Sequence, residues 1–217
     1  YFVQKHTGRD QAGATGVSSG QGGGNVLDNE KVLDALDLFP SANLIYAVDE
    51  NENIRFSYFR SIARPSFKEL SFAQIQDPIT DRAFNGGLIP YAGTWDGNLS
   101  ETRVNNFDLR WEMFMKPGEL LSFSGFVKLF DNAIELVRIP EAATTAEFQP
   151  RNVGDGQVFG AEVEFRKNLG FISPVVDKLS FSGNFTYVYS QIEMTSVEKD
   201  ARDNYAKTGQ SIDDKRA

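Results

Sequence analysis

The 217 residues carry 41% hydrophobic and 24% charged side chains, with a formal net charge of −8. That balance excludes binding nucleic acid through a basic surface, because neutralising phosphates needs clustered Lys and Arg. The absence of cysteine excludes disulfides, thiolate metal sites and cysteine nucleophiles, and no run approaches the roughly 18 apolar residues of a transmembrane helix.

At the start, Tyr1, Phe2, Val3, Gln4, Lys5 and His6 lack the leading Met, basic start and apolar run of a signal peptide. With the polar end at Asp213, Asp214, Lys215, Arg216 and Ala217, both termini read as internal to a longer chain. Residues 7–30 are rich in Gly, Ser and Gln and read as a flexible loop. The Gly20-Gln21-Gly22-Gly23-Gly24 run is no phosphate cradle, since no Lys-Ser/Thr follows it. Helix and loop both fit residues 27–38. His6 has no second His or local carboxylate beside it, so no metal site is expected there.

Regular structure is expected across residues 39–195. Residues 43–48 read as a strand ending in the polar turn Asp49-Glu50-Asn51-Glu52-Asn53, which lacks the central Gly and terminal Glu of a calcium loop. Residues 54–62 form the next strand, with Ile54, Phe56 and Tyr58 on one face. A long connection over 64–103 follows, broken by Pro65, Pro78, Pro90, Gly86 and Gly87. Residues 105–130 form a hairpin about Lys116-Pro117-Gly118-Glu119, and a second long connection is expected over 131–156. Residues 157–166 and 179–191 are strands joined by a medium turn, and 196–217 is polar, another loop or the beginning of a strand.

The strands alternate with period two. Phe107, Leu109, Trp111, Met113, Phe123, Phe181 and Tyr187 fall on one row. Asp108, Arg110, Glu112, Glu162, Glu164 and Arg166 fall on the other. In a soluble sandwich the apolar row would be the core; in a membrane barrel it meets lipid and the charged row lines the lumen. Three features favour the barrel. The connections run short, long, short, long, medium, long, so the long ones share one side, as in outer-membrane barrels. Strands of about ten residues, tilted by about 45°, rise roughly 23 Å. The charged row holds too many ionisable groups for a packed interior. The expected fold is all-β: about six strands of a larger antiparallel, up-and-down transmembrane barrel, with residues 7–30 on the extracellular side.

Several short pieces carry a family resemblance. Arg64-Pro65-Ser66-Phe67-Lys68-Glu69-Leu70 resembles the "RPSF.EL" segment that closes an upgoing strand in TonB-dependent outer-membrane receptors, especially the Bacteroidota type. Leu38-Phe39-Pro40-Ser41 resembles the "FPS" start of a downgoing strand, and residues 106–112 resemble "N.DL..E". Phe126-Val127-Lys128 with Ile134-Glu135 resembles "FYK...IE", and Gly160-Ala161-Glu162-Val163-Glu164 resembles "GVE.E". The pieces occur in the family's order across residues 38–195. The Asp96-Gly97-Asn98-Leu99-Ser100 loop departs from the family's Gly-Asn-Pro pattern.

The resemblance implies a barrel of about 22 strands with a plugged lumen, of which this chain would be part of the C-terminal half, without the plug. It implies active import of a scarce ligand, a metal chelate, vitamin or glycan, in the outer membrane of a Gram-negative bacterium. The implied partners are outer-membrane lipid, the protein's own plug, the TonB complex, a small-molecule or oligosaccharide ligand and a surface lipoprotein; no cofactor and no enzymatic activity are implied. The charged row would then pair with the plug. Phe84, Tyr91 and Trp95, in the 64–103 connection, are the candidate ligand aromatics.

Other chemistry fits less well. Glu162 and Glu164 stand about 6.6 Å apart along a strand, as glycosidase carboxylates can, but alternation alone puts two carboxylates on one face. Asn98-Leu99-Ser100 is a formal glycosylation triplet, without consequence in a bacterial outer-membrane protein. The competing readings are a passive porin or other outer-membrane barrel, and a soluble all-β binding module.

Overall fold

The computed structural model describes residues 2–9, 28–77, 79–91, 94–139, 146–205 and 215–216. The strands in chain order are β1 (Phe2–Arg9), β2 (Asp28–Asp37), β3 (Ser41–Asp49), β4 (Glu52–Ala63), β5 (Gln74–Asp77), β6 (Arg82–Asn85), β7 (Thr102–Phe114), β8 (Leu120–Ile139), β9 (Ala146–Asn168), β10 (Ser180–Glu193) and β11 (Lys215–Arg216). Among the described residues one α-helix, α1, spans Ser196–Tyr205. Strands β11-β10-β9-β8-β7-β4-β3 lie in that order in one sheet, and every neighbouring pair is antiparallel. This is an up-and-down meander in which one long insertion, between β4 and β7, leaves the sheet and returns.

Short turns gather at one end of the meander. Between β3 and β4, Asp49 accepts the Asn51 N–H at 2.7 Å, an Asx turn. Between β7 and β8 the Glu119 N–H bonds Lys116 O at 2.8 Å, with Pro117 second and Gly118 third at φ 84°. That is the type II arrangement, which needs positive φ at its third residue.

Several expectations are corrected: residues 27–38, read as helix or loop, contain strand β2, and the polar end opens with helix α1 rather than a loop or strand. Residues 7–30 are not wholly loop: β1 and β2 pair antiparallel from Phe2↔Asp37 to Arg9↔Asp28, while residues 10–27, with Gly20 to Gly24, lie outside the described residues. Residues 131–156 are mostly ladder rather than connection. Strand β8 continues to Ile139 and β9 begins at Ala146, pairing from Ile134↔Asn152 to Ile139↔Glu147. The register shifts between Phe130, Ala133 and Ile134, where Asn132 has φ 55° and Gly154 φ 126°. Asp131-Asn132 and Gly154-Asp155-Gly156 carry turn chemistry because they form a β-bulge, not because the strands end.

The bulge changes which residues face inward. Below it the even residues of β8 are the less exposed, from Ser122 to Phe130; above it Ala133 and Ile139 are buried while Leu136 and Arg138 are exposed. A slip of one residue sends side chains to the other face. The upper part of β8–β9 therefore aims Ile139, Glu147, Gln149 and Arg151 at the segment that joins β4 to β7. Strand β10 stops at Ile192↔Gly156, which leaves the upper edge of β9 unpaired by it. Strand β6 takes that edge in parallel, at Arg82↔Ala146, Ala83↔Glu147 and Phe84↔Phe148. An open edge is thereby covered by the chain's own loop.

This topology puts the β3–β4 turn and the β8–β9 connection on opposite sides of the wall. In cells making the full-length protein, an epitope inserted at Ala142 should be reached by antibody without permeabilisation, and one at Glu50 only after it. Labelling with the opposite order would reverse the orientation.

Candidate functional site: the two faces of the wall and its cap

The registers sort the side chains of β3, β4, β7, β8, β9 and β10 into two faces. Rungs such as Phe56↔Leu109, Ile54↔Trp111↔Phe123↔Val163↔Phe185 and Tyr58↔Phe107↔Val127↔Phe159↔Tyr189 make one face apolar. Rungs such as Arg55↔Arg110↔Ser124↔Glu162↔Thr186 make the other polar. The apolar face is the uncovered one: Leu109 is 55% and Phe185 69% exposed, whereas Glu112 is 5% and Ser122 1% exposed. A soluble sandwich would show the reverse.

The apolar face is bounded above and below. Toward the long connections, Tyr58 Oη donates to Asn105 Oδ1 at 3.1 Å and Gln157 Nε2 to Gln191 Oε1 at 3.1 Å. Toward the short turns, Trp111 Nε1 donates to Glu52, and Lys167 Nζ donates to Glu119 Oε2 at 2.7 Å. On β9 the interval from Gln157 to Lys167 is about 33 Å of strand, or about 23 Å across a layer at a tilt of about 45°. Aromatic pairs stand near both limits: Tyr58–Phe107 with centroids 5.0 Å apart, Phe159–Tyr189 at 5.1 Å, Trp111–Phe123 at 5.7 Å and Phe165–Phe181 at 5.4 Å. Met113 lies one rung beyond Trp111 and Phe181 beside Lys167, so both expected lipid-facing rows share this face.

On the polar face the charges are linked across four strands. Glu112 on β7 accepts from Arg55 on β4 and, at 3.2 Å, from Arg110 on its own strand. Arg110 Nη2 reaches Glu164 on β9 at 3.0 Å, passing over Ser122 and Ser124 of β8. The small serines leave room for that reach. Higher up, Asn106 Nδ2 donates to Phe59 O and Ser61 Oγ, both at 3.2 Å, while Lys128 Nζ donates to Asn106 Oδ1 at 3.1 Å. Asp108, Glu162 and Arg166 occupy the same face in the ladder. The carboxylates Glu162 and Glu164 are separate rungs of this face, and Glu164 is held by Arg110. Among the described residues no cluster of three or more His, Cys, Asp or Glu could hold a metal ion.

Above the wall, the segment between β4 and β7 folds into a cap. Its start is the Arg64–Leu70 stretch. Arg64 pairs with the buried Asp37 at 3.3 Å, tying β2 to the top of β4, and Arg103 approaches the same carboxylate at 3.5 Å. Ser66 and Glu69 form a reciprocal box: the Ser66 N–H donates to Glu69 Oε2 at 2.6 Å and the Glu69 N–H to Ser66 Oγ at 3.4 Å. Leu70 is buried with Leu33 and Leu99. Arg64, Ser66, Glu69 and Leu70 of the motif thus each have a visible structural task.

The cap is then locked to the upper β8–β9 hairpin. Gln149, fully buried, donates to Gly86 O at 2.9 Å and Ile89 O at 2.7 Å, and accepts from Arg151 Nε at 2.8 Å. Glu147 accepts from Asn85 at 2.8 Å and from Tyr91 Oη at 3.1 Å. The Arg151 guanidinium lies 5.2 Å from the Tyr91 ring centre and 5.8 Å from that of Trp95. The candidate ligand aromatics are engaged internally in this segment. Tyr91 is 5% exposed in a core with Ile89 and Ile139, Trp95 packs on it and donates to Gly87 O at 2.7 Å, and Phe84 stacks on Phe148 at 5.7 Å. No local signal marks Glu147, Gln149 or Arg151, which sit in what reads as a loop. Below the cap, a cleft of about 470 Å³ is lined by Phe130, Ile134, Val158, Ser190 and Ile192, with Arg216 paired to Glu135 at its rim.

A wall with an uncovered apolar band and a charged opposite face is the wall of an outer-membrane β-barrel. Residues 7–216 match the family described as TonB dependent receptor-like, beta-barrel. The chain belongs to that family, whose members reside in the outer membrane of Gram-negative bacteria and are receptors and transporters rather than enzymes. The siderophore receptor PirA from Pseudomonas aeruginosa is similar in structure, with TM-score 0.56 and 19% identity over 70% of this chain and 28% of that one. The ferric enterobactin receptor PfeA from the same organism, as its Q482A mutant with enterobactin, gives TM-score 0.53 and 21% identity over 75% of this chain and 25% of that one. The chain thus spans about a quarter of the length of these receptors. No curated protein sequence matches it.

Two outcomes follow for the purified full-length protein. Glu112 serves two arginines, so Glu112→Ala should cost about 2 kcal/mol, measured by denaturant unfolding in detergent. Arg55→Ala should cost less than about 1 kcal/mol, because the Arg55 side chain is 44% exposed and Glu112 keeps Arg110; equal losses would show that the network is not shared through Glu112. At the turns, the hydrogen bond from Lys167 first, and the Asn168 N–H as well, holds the Glu119 carboxyl below its ordinary value of 4.5. A depressed carboxylate contributes stability above its unfolded pKa and loses it as pH falls through the folded value. Wild type should lose melting temperature below pH 4.5 more steeply than Glu119→Gln, and parallel curves would contradict this assignment.

Proposed function

We propose that this chain is part of the wall of an energy-coupled outer-membrane importer, which takes up a scarce ligand such as a metal chelate, a vitamin or a glycan. The observation that carries this reading is the charged network on the lumen face, Arg55–Glu112–Arg110–Glu164, which joins β4, β7 and β9 across β8. In a plugged barrel such a surface meets a folded plug, whose polar groups complete the hydrogen bonding that alternation leaves open on Asp108, Glu162 and Arg166. The plug would be drawn on by the TonB complex from the periplasmic side. The cleft beneath the cap would face an incoming ligand, with Arg216 held there by Glu135, and a surface lipoprotein would sit over the cap.

A passive porin shares the apolar band and the loop asymmetry but needs an open lumen. The full-length protein in a planar bilayer should show no steady ohmic conductance, and uptake by cells should stop when TonB is deleted or the proton gradient is collapsed. A constant open channel together with uptake that is independent of TonB would replace the importer by a porin.

A further inference from the structure

The short turns at the periplasmic end differ in chemistry. The β3–β4 turn presents Asp49, Glu50 and Asn51, and the β7–β8 turn presents Lys116, Pro117 and Gly118. The β9–β10 turn is instead apolar at Leu169, Phe171, Ile172, Val175, Val176 and Leu179, with Asp177 and Lys178 as its charges. Phe171 is 71% and Val175 90% exposed, and Ile172 and Leu179 are also exposed.

Polar groups, not these apolar side chains, hold the turn in shape. It contains two short 3-10 turns, Leu169–Phe171 and Pro174–Val176. Asn168 Oδ1 accepts the Gly170 N–H at 2.7 Å, Asn168 Nδ2 donates to Asp177 O, and Ser173 Oγ accepts the Val175 N–H at 3.3 Å. The Leu169 N–H closes the base on Leu179 O at 2.8 Å. The turn uses the polar side chains of Asn168 and Ser173 on its own backbone and leaves Phe171, Ile172 and Val175 outside beside the exposed Asp177 and Lys178.

The apolar surface is continuous with the lipid-facing band. The rung Lys167↔Phe181 belongs to that face, and the backbone bond between Leu169 and Leu179 continues the ladder one rung further on the same parity. The lipid-facing row of β9–β10 therefore runs past the polar rung at Lys167 and Glu119, where the row of β7–β8 stops. Two further residues of tilted strand reach about 5 Å deeper, which matches the headgroup zone that borders the hydrocarbon.

We infer that the β9–β10 turn is a membrane foot: Phe171, Ile172 and Val175 lie in the boundary between headgroups and acyl chains of the periplasm-facing leaflet. Lys178 stands beside them as a partner for lipid phosphate. The occupant is lipid because the patch prolongs a surface that already faces lipid, and because amphipathic segments with this division of groups seat at that depth. The foot holds this side of the wall at a fixed depth, while the two neighbouring turns stay in water. The inference rests on the reading of the apolar face as lipid-facing, which the test separates from the foot itself.

The native chain has no cysteine, so the full-length receptor, with any other cysteine changed to serine, accepts single probes. Val175→Cys, Phe171→Cys, Lys116→Cys and Leu109→Cys would each carry an environment-sensitive fluorophore in phosphatidylethanolamine–phosphatidylglycerol vesicles. Lipid spin-labelled near the headgroup should quench the probes at 175 and 171 at least roughly twofold more than the probe at 116, with iodide giving the opposite order. Iodide quenching at 175 and 171 equal to that at 116 would put the turn in water and overturn the foot. Protection from both quenchers would put a protein surface such as the plug over it, which overturns the foot equally. Deep-labelled lipid should quench the probe at 109 in every case; its failure to do so would remove the lipid-facing wall itself.

Discussion

In a hydrocarbon layer a backbone N–H or C=O without a partner costs several kcal/mol, so a strand can cross only inside an unbroken ladder. That constraint governs this chain. The ladder from β3 through β10 is continuous over the band between the polar rungs, and its registers leave no freedom in side-chain parity. Once Leu109 faces out, Arg110 must face in, and so must its cross-strand neighbours Arg55, Ser124 and Glu162. The apolar band and the charged network are two consequences of one hydrogen-bond pattern.

Above the band the constraint relaxes, because water can satisfy the backbone, and there the ladder is allowed to break. The bulge at Asp131 to Ala133 exchanges the faces of the upper hairpin and aims Gln149 and Arg151 at the cap. A wall that kept its lower parity would point those side chains outward and leave the cap nothing to hold. The edge of β9 released by β10 is the second condition, since it receives β6. Cap and bulge depend on each other: the cap buries Gln149 fully, and Gln149 in turn caps carbonyls of Gly86 and Ile89 that have left regular structure.

What could be read locally and what could not divide along the same line. Period-two alternation over residues 105–130 is a property of neighbouring residues, so it announces the hairpin and its two rows. The turn at Lys116 to Glu119 announces itself through Pro117 and Gly118. Residues 131–156 mislead because Asp131, Asn132, Gly154 and Asp155 have the same chemistry whether they bulge a ladder or end it. The packing of Tyr91 and Trp95 is hidden for a different reason: their partners, Glu147 and Arg151, lie more than fifty residues away. An aromatic in a loop looks free until the loop is seen to fold.

By itself the sequence determined the all-β class and the parity of the wall strands below the bulge, because these follow from the spacing of apolar residues and turn formers along the chain. The family resemblance was legible there too, in pieces such as Arg64 to Leu70. Only the tertiary structure decided that Arg64 clamps Asp37, that Glu112 is shared by two arginines, that the long insertion is a packed cap and that the β9–β10 turn turns its apolar side outward. These are pairings between distant segments and a choice of which face stays uncovered, and local composition carries no record of either.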